Sequence, residues 1–285
     1  MSCLARLKTA ATLAAIAIAL SLGHVATATA TATAITNTKS CETLQDALFA
    51  KDSLEVRVIF GYKDARPARY VGDRHEKAAF VERLTGPCRT ESQACEFVQS
   101  ATDSELFVKV LKVGQGAHQS SKEIRVYVVN SAVGSDDEEN LDDPFQAWKS
   151  RHAQNSFLRG LEKADVVFYN GHSRFGGGPD FKSPTLAKDG SIDPRPYKKG
   201  RNGLNQLLTA LEDSQKPKLP RYSGLKVLGL FSCSSSQHFN TQIKKVSDAA
   251  LMSSTNLMYY TDALNQSLSA LDTLLERRCP VSLTF

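Results

Sequence analysis

After about residue 22, the chain has no apolar run long enough to cross a bilayer, which takes about 20 residues. We therefore expect no integral membrane segment in the mature protein. The sequence also has no dense basic stripe. Its 35 Lys and Arg residues against 30 Asp and Glu residues leave a net charge of only +5. The one basic cluster, at residues 198–201, lies in a polar stretch, so we expect no nucleic-acid partner.

Motifs for metals and cofactors are absent as well. No Cys or His spacing is typical of a zinc site. The acidic run at residues 136–139 lacks the glycine and the alternate spacing of an EF-hand loop. Residues 176–178 are three glycines, but no lysine and helix follow them as in a phosphate-binding loop. We therefore expect neither a metal nor a cofactor.

The first residues have the pattern of an export signal. Arg6 and Lys8 precede an apolar stretch over residues 9–22, and repeated Ala-Thr-Ala sites follow. A positive start, a short apolar region and small-residue cleavage sites are typical of a secretory signal peptide. We assign it to residues 1–34, with cleavage between 28 and 34, and expect a periplasmic or extracellular protein.

Removal of the signal leaves five cysteines, an odd number: Cys41, Cys88, Cys95, Cys233 and Cys279. An odd count in an exported protein predicts disulfides plus one free thiol. Cys88 and Cys95 are close in sequence, whereas Cys41 and Cys279 lie near the two ends of the mature chain, and chain ends often meet in a domain. We predict these two pairs as disulfides, which leaves Cys233 reduced.

The apolar pattern divides the chain into two parts. Residues 35–120 contain candidate strands and form a β-rich segment, either a small lobe or an antiparallel edge of the main sheet. Residues 121–285 alternate strands with helices, which indicates a parallel sheet. We predict an α/β fold with a doubly wound, mostly parallel sheet, and we place its last parallel strand at residues 257–260.

Two residues suited to catalysis end two of these strands. His172 follows the apolar run at residues 164–169, and Cys233 follows the run at residues 225–231. Chemistry collects at the carboxyl ends of parallel strands, so we expect the imidazole and the thiol at one sheet edge. A cysteine nucleophile needs such a partner. The backbone N–H groups of Ser173 and Cys233 are candidate donors to an oxyanion.

The residues around both positions have a family resemblance. The segment Tyr-Asn-Gly-His-Ser at 169–173 and the segment Phe-Ser-Cys-Ser at 231–234 resemble the His and Cys motifs of the caspase, gingipain and legumain superfamily of cysteine peptidases. The order of the motifs and the gap between them are also similar. The resemblance implies a caspase-like domain over 121–285 and a cysteine endopeptidase that acts on peptides or proteins through Cys233 and His172.

The chain departs from that family at three positions. Ser173 stands where the family usually has Gly, Ser232 where it has Ala, and Phe231 where caspases and legumains have a polar or acidic residue. Their cleavage preference is therefore not carried over. On this interpretation only the backbone of Ser173 is used, so its replacement by glycine is expected to be nearly neutral.

Two alternatives use the same residues differently. Residues 171–175 partly match the nucleophile elbow of serine hydrolases with Ser173 as nucleophile, but Phe175 stands where that motif needs glycine. The other alternative is an exported binding protein that keeps a caspase-like fold without catalysis. His238, five residues beyond Cys233, is an alternative partner for the thiol.

Overall fold

The computed structural model describes residues 40–63, 72–89, 92–114, 119–215 and 224–285. The predicted signal peptide lies outside these ranges. In the described part of the chain, no helix is both long and apolar enough for a membrane span.

One mixed sheet of eight strands organises the described residues, in the spatial order β2-β3-β4-β1-β5-β6-β7-β8. The five central strands, from β4 to β7, are parallel, and β2, β3 and β8 pair antiparallel at the edges. The strands are β1 (Ser53–Phe60), β2 (Val98–Gln99), β3 (Leu106–Val113), β4 (Ser120–Asn130), β5 (Val166–Asn170), β6 (Val227–Phe231), β7 (Ala250–Ser253) and β8 (Leu283–Thr284). The predicted α/β class with a mostly parallel sheet is confirmed.

Helices cover both faces of this sheet. They are α1 (residues 40–49), α2 (Asp73–Thr85), α3 (Asp137–Asp142), α4 (Gln146–Lys163), α5 (Asn202–Gln215), α6 (Thr241–Ile243) and α7 (Tyr260–Leu275). One hydrophobic core lies under α1, α2 and α7, and a second lies under α4, α5 and α6.

The two cores explain why the central strands are continuous apolar runs. Successive side chains of a strand point to opposite faces, and here both faces are buried. In β5, Val166 and Phe168 enter the first core, while Val167 and Tyr169 enter the second. Every residue of β5 and β6 is buried.

The early strands are part of this same sheet. β1 lies in its centre, between β4 and β5, and β3 pairs antiparallel with β4 towards one edge. Because β4 and β5 lie on opposite sides of β1, the chain direction across the sheet reverses there. A crevice outside the carboxyl ends of the strands is the usual ligand position at such a reversal.

The predicted strand at residues 257–260 is wrong. The last parallel strand is β7, at Ala250–Ser253, and Tyr260 begins α7. Leu257 and Tyr259 are exposed, so their apolar side chains contribute nothing to the core. The four-residue β7 owes its position to pairing with the fully buried β6.

Both predicted disulfides are confirmed. Cys41 in α1 is bonded to Cys279, which follows α7, with Cα atoms 5.9 Å apart. Cys88 is bonded to Cys95, with Cα atoms 5.0 Å apart. Among the described cysteines, Cys233 is the one with a free thiol.

Candidate functional site

Strand register places His172 and Cys233 at the same level of the sheet. β5 and β6 are adjacent and parallel, as predicted, and Asn170 pairs with Phe231. His172 and Cys233 each follow their strand by two residues. The imidazole and the thiol therefore come from neighbouring turns at the carboxyl edge of the sheet. The His172 turn follows β5, which is next to β1, and the Cys233 turn follows β6, the second strand from β1.

The Cys233 thiol is half-buried beside the segment that leads into α7. The backbone N–H of Met258 donates to Sγ at 3.4 Å, and Sγ lies 3.6 Å from the Met258 carbonyl oxygen. Both contacts hold the sulfur against the backbone of this segment.

The His172 ring packs edge-on against Tyr260, with ring centroids 6.2 Å apart. Its backbone is fixed by Tyr169, whose hydroxyl donates to the His172 carbonyl at 3.1 Å. Burial raises the pKa of Tyr169, so this hydroxyl stays protonated as a donor. A side chain at Gly171 would collide with the same phenol, which explains the glycine before His172. Cys233 and His172 thus contact one short segment, at Met258 and Tyr260 respectively.

The two turns present backbone donors. Within the described residues, the N–H groups of Ser173 and Cys233 donate to no backbone or side-chain acceptor. The residues that follow these two donors have a left-handed backbone conformation. After Ser173, Arg174 and Phe175 have φ of 39° and 56°, and after Cys233, Ser234 has φ of 49°. Such strain in non-glycine residues is concentrated at functional sites.

The strained turn after His172 is fixed by a buried ion pair. Arg174 Nε donates to Asp180 Oδ2 at 2.8 Å, and both side chains are nearly inaccessible. The loop at 176–203 is buried in its first part, from Gly176 to Phe181. A Cβ at Gly178 would lie 2.0 Å from the Leu204 nitrogen, so close packing against α5 requires glycine there. This packing, which sequence reasoning missed, borders a cavity of about 650 Å³ between the loop, α4 and α5.

Phe231, two residues before the thiol, lies in the hydrophobic core. Its ring packs edge-on against Phe168 at 5.4 Å. A Cβ at Gly229 would collide with both rings, so this glycine makes room for the pair. Phe231 therefore stabilises the end of β6 and forms no wall of an open pocket.

The Ser173 side chain links the turn after β5 to the turn after β6, a structural contact that the prediction of a backbone-only role does not include. Its hydroxyl is buried, donates to the Cys233 carbonyl at 2.7 Å and lies 2.8 Å from the Ser232 hydroxyl. A hydroxyl bound in this way is poorly placed to act as a nucleophile.

We accordingly predict that Ser173→Gly lowers the free energy of unfolding by about 1–3 kcal/mol, because it leaves two buried polar groups without their partner. Urea denaturation of the purified variant measures this loss. Ser191→Gly, which removes an exposed hydroxyl bonded to Asp189, is the matched control and should cost about 0.5 kcal/mol. An unfolding midpoint equal to that of the wild type would contradict a linking role for Ser173.

A group of buried polar residues at the ends of β1, β4 and β5 was also missed. Lys63 follows β1, and its ammonium contacts Glu76 of α2 and the Asn170 side chain at the end of β5. Asp73 of α2 accepts from the backbone N–H groups of Ser131 and Ala132, and burial raises its pKa to about 7. One signal was available in the sequence: Lys63, like His172 and Cys233, comes just after a buried strand.

Comparison with protein-family models, curated proteins and solved structures found no match to this chain.

Proposed function

We propose that this protein is an exported cysteine endopeptidase, with a caspase-like site in which Cys233 is the nucleophile and His172 its acid–base partner. The observation that carries the proposal is the register of β5 and β6. It puts the one reduced cysteine among the described residues and a histidine at equivalent positions on adjacent turns.

The proposed reaction needs a nucleophile, a proton carrier and an oxyanion site. The Cys233 thiolate attacks the peptide carbonyl carbon, and the N–H groups of Ser173 and Cys233 stabilise the resulting oxyanion. Collapse breaks the C–N bond, and the proton held by His172 goes to the leaving amine. Water, losing a proton to His172, then hydrolyses the thioester and releases the acid and the thiol.

Exposed apolar side chains near the site support a polypeptide substrate. Phe175 follows the His172 turn, and Leu257 and Tyr259 flank Met258, which contacts the thiol. All three are large and exposed, and exposed apolar side chains beside a site can bind a polypeptide. The two disulfides support export, because such bonds persist in oxidising compartments.

The serine-hydrolase alternative is disfavoured by the position of Ser173. Its hydroxyl is buried and donates to the Cys233 carbonyl oxygen. Cys233, in contrast, is half-buried and carries a free thiol. The thiol is therefore the better-placed nucleophile of the two.

The experiment that tests the proposal compares two histidines. We expect His172→Ala to lower the cleavage rate of a mixed peptide library by about 10²–10⁴, the usual contribution of a positioned acid–base group. His238→Ala is the matched control. This second histidine follows Cys233 by five residues, and its ring lies beside Gly176, which follows His172 by four. The rate of His238→Ala should stay within a few-fold of wild type.

If His238→Ala cleaved peptides more slowly than His172→Ala, the acid–base role would belong to His238 and the proposed Cys233–His172 pair would be wrong. Cleavage of no peptide by wild type would favour the non-catalytic binding protein.

A further inference from the structure

The disulfide that closes the loop between α2 and β2 joins an exposed cysteine to a buried one. Cys88 is exposed, whereas Cys95 is only 3% exposed. Thiol–disulfide exchange depends on which of the two sulfur atoms an incoming thiolate can reach, and exposed disulfides are the more easily opened ones. Attack from solvent is therefore directed at Cys88, which makes the sulfur of Cys95 the leaving group.

A lysine ammonium lies beside both sulfur atoms of this bond. Lys109 reaches the loop from β3, and its Nζ atom lies 3.8 Å from Cys88 Sγ and 4.0 Å from Cys95 Sγ. The same ammonium donates to the backbone carbonyl oxygens of Gln93 and Cys95, at 3.0 and 2.9 Å. These two hydrogen bonds hold the positive charge next to the disulfide.

A cation in this position promotes exchange at the disulfide in two ways. A thiolate leaves faster when the pKa of its thiol is lower, and a neighbouring lysine lowers the pKa of a cysteine thiol. The positive charge also attracts the incoming thiolate. Both effects act on the same ammonium contact, so the loss of the charge should slow the opening of this bond.

We propose that the Cys88–Cys95 disulfide is a thiol-modification site, at which a low-molecular-weight thiol forms a mixed disulfide with Cys88 while Lys109 stabilises the departing Cys95 thiolate. The attacking thiolate bonds to Cys88 Sγ, and the S–S bond breaks with its electron pair going to Cys95 Sγ. The Cys95 thiolate then takes a proton from water. Neither Cys233 nor His172 takes part, so the proposal is independent of the peptidase function.

A dithiol carries the same reaction to full reduction. Its second thiolate attacks its own sulfur atom in the mixed disulfide and releases the thiolate of Cys88, which also lies beside Lys109. The dithiol is thereby oxidised to a disulfide, and the two cysteines become thiols. Each of the two leaving sulfur atoms is thus within about 4 Å of the ammonium.

The loop keeps other attachments when the bond opens. One carboxylate oxygen of Asp272, in α7, accepts from the Ser92 hydroxyl at 3.0 Å. It also accepts from the backbone N–H groups of Gln93 and Ala94, at 2.6 and 2.9 Å. The Cys95 sulfur lies 3.3 Å from the Ser92 carbonyl oxygen, which can accept from the thiol that forms. We therefore expect the modified protein to stay folded.

Two carboxyl groups act on the same lysine. Burial lowers the pKa of Lys109, and the charges of Glu96 and Asp272 raise it. These carboxylates favour the charged lysine that the exchange needs. They also oppose a thiolate nearby, so the acceleration by Lys109 should be moderate.

The variants change the charge on Lys109 in the full exported chain. Lys109→Gln and Lys109→Met both remove the charge, so that one suffices if the other does not fold, and Lys109→Arg retains it. Lys112→Gln is the matched control, since it neutralises an exposed lysine on the same strand. Each variant is used only if its near-ultraviolet circular dichroism is native.

The measurement is the rate at which dithiothreitol opens each disulfide, followed by alkylation and peptide mapping by mass spectrometry. The Cys41–Cys279 bond of the same molecule is the internal reference, and the wild type should open Cys88–Cys95 first. In the neutral Lys109 variants we expect this step to slow about three- to tenfold. Lys109→Arg and Lys112→Gln should keep the wild-type rate.

A folded neutral variant that opens Cys88–Cys95 as fast as the wild type, or faster, would overturn the role of Lys109. A purely structural lysine predicts the faster rate, because the loss of its two hydrogen bonds loosens the loop.

A second measurement needs no variant. Wild-type protein treated with reduced glutathione should carry the mixed disulfide on Cys88, with Cys95 as the thiol. Glutathione bound to Cys95, or opening of the Cys41–Cys279 bond before Cys88–Cys95, would show that the modification site is wrong.

Discussion

Replacing Cys233 by alanine is expected to abolish peptide cleavage, with a rate at least about 10⁴ below wild type, as when a covalent nucleophile is removed from a hydrolase. The physical reason is that the Ser173 hydroxyl, the other candidate nucleophile at this edge, is buried and hydrogen-bonded. The fold should survive, because the thiol is half-buried and its contacts with the Met258 backbone, at 3.4 and 3.6 Å, are weak hydrogen bonds to sulfur. The measurement is the initial rate on a mixed peptide library, with products identified by mass spectrometry.

Ser173→Ala is the informative companion variant, since it removes the hydroxyl and keeps the backbone N–H. We expect it to retain cleavage to within about tenfold, with the loss arising from a looser link between the turns. Wild-type turnover by Cys233→Ala together with an inactive Ser173→Ala would replace the cysteine mechanism by a serine mechanism.

The second large effect concerns stability. Removing the Cys41–Cys279 disulfide by serine substitution is expected to lower the free energy of unfolding by about 5 kcal/mol. This bond joins residues separated by 238 positions, so it strongly restricts the unfolded chain. The Cys88–Cys95 bond spans only 7 positions, and its removal should cost roughly 2–3 kcal/mol.

Urea denaturation of the two double-serine variants compares these losses directly, because each variant is the control for the other. A larger loss from the short loop than from the long one would contradict the loop-length argument. Unfolding of the Cys41→Ser, Cys279→Ser variant without any denaturant would agree with it.

The central sheet could be predicted because its signal is local. β5 and β6 are buried on both faces, so each is a continuous apolar run with a turn after it. β7 was misplaced because a four-residue strand is defined by pairing with its neighbour, and the exposed Leu257 and Tyr259 gave a competing apolar signal. Pairing depends on distant residues and leaves no periodicity in a short segment.

The site was predicted in part for the same reason. His172 and Cys233 follow recognisable strands, and shared register then brings them to one level. Lys63 was missed because its importance depends on β1 lying beside β5 and on Glu76 reaching it from α2. The sequence does not indicate a role for the Ser173 hydroxyl, since its acceptor, the Cys233 carbonyl, lies 60 residues away in sequence. Contacts between residues so far apart in sequence depend on the order of the strands in the sheet, which no local pattern shows.

The most direct test of the Cys233–His172 pair is labelling of the folded protein by a peptidyl electrophile, followed by digestion and mass spectrometric identification of the modified residue. We expect one stoichiometric adduct on Cys233 that forms markedly faster than the adduct with iodoacetamide, because the peptide part binds beside the thiol. The same reagent should label His172→Ala more slowly. An adduct on Ser173, or labelling of Cys233 no faster than a free thiol and unchanged in His172→Ala, would contradict a cysteine peptidase site.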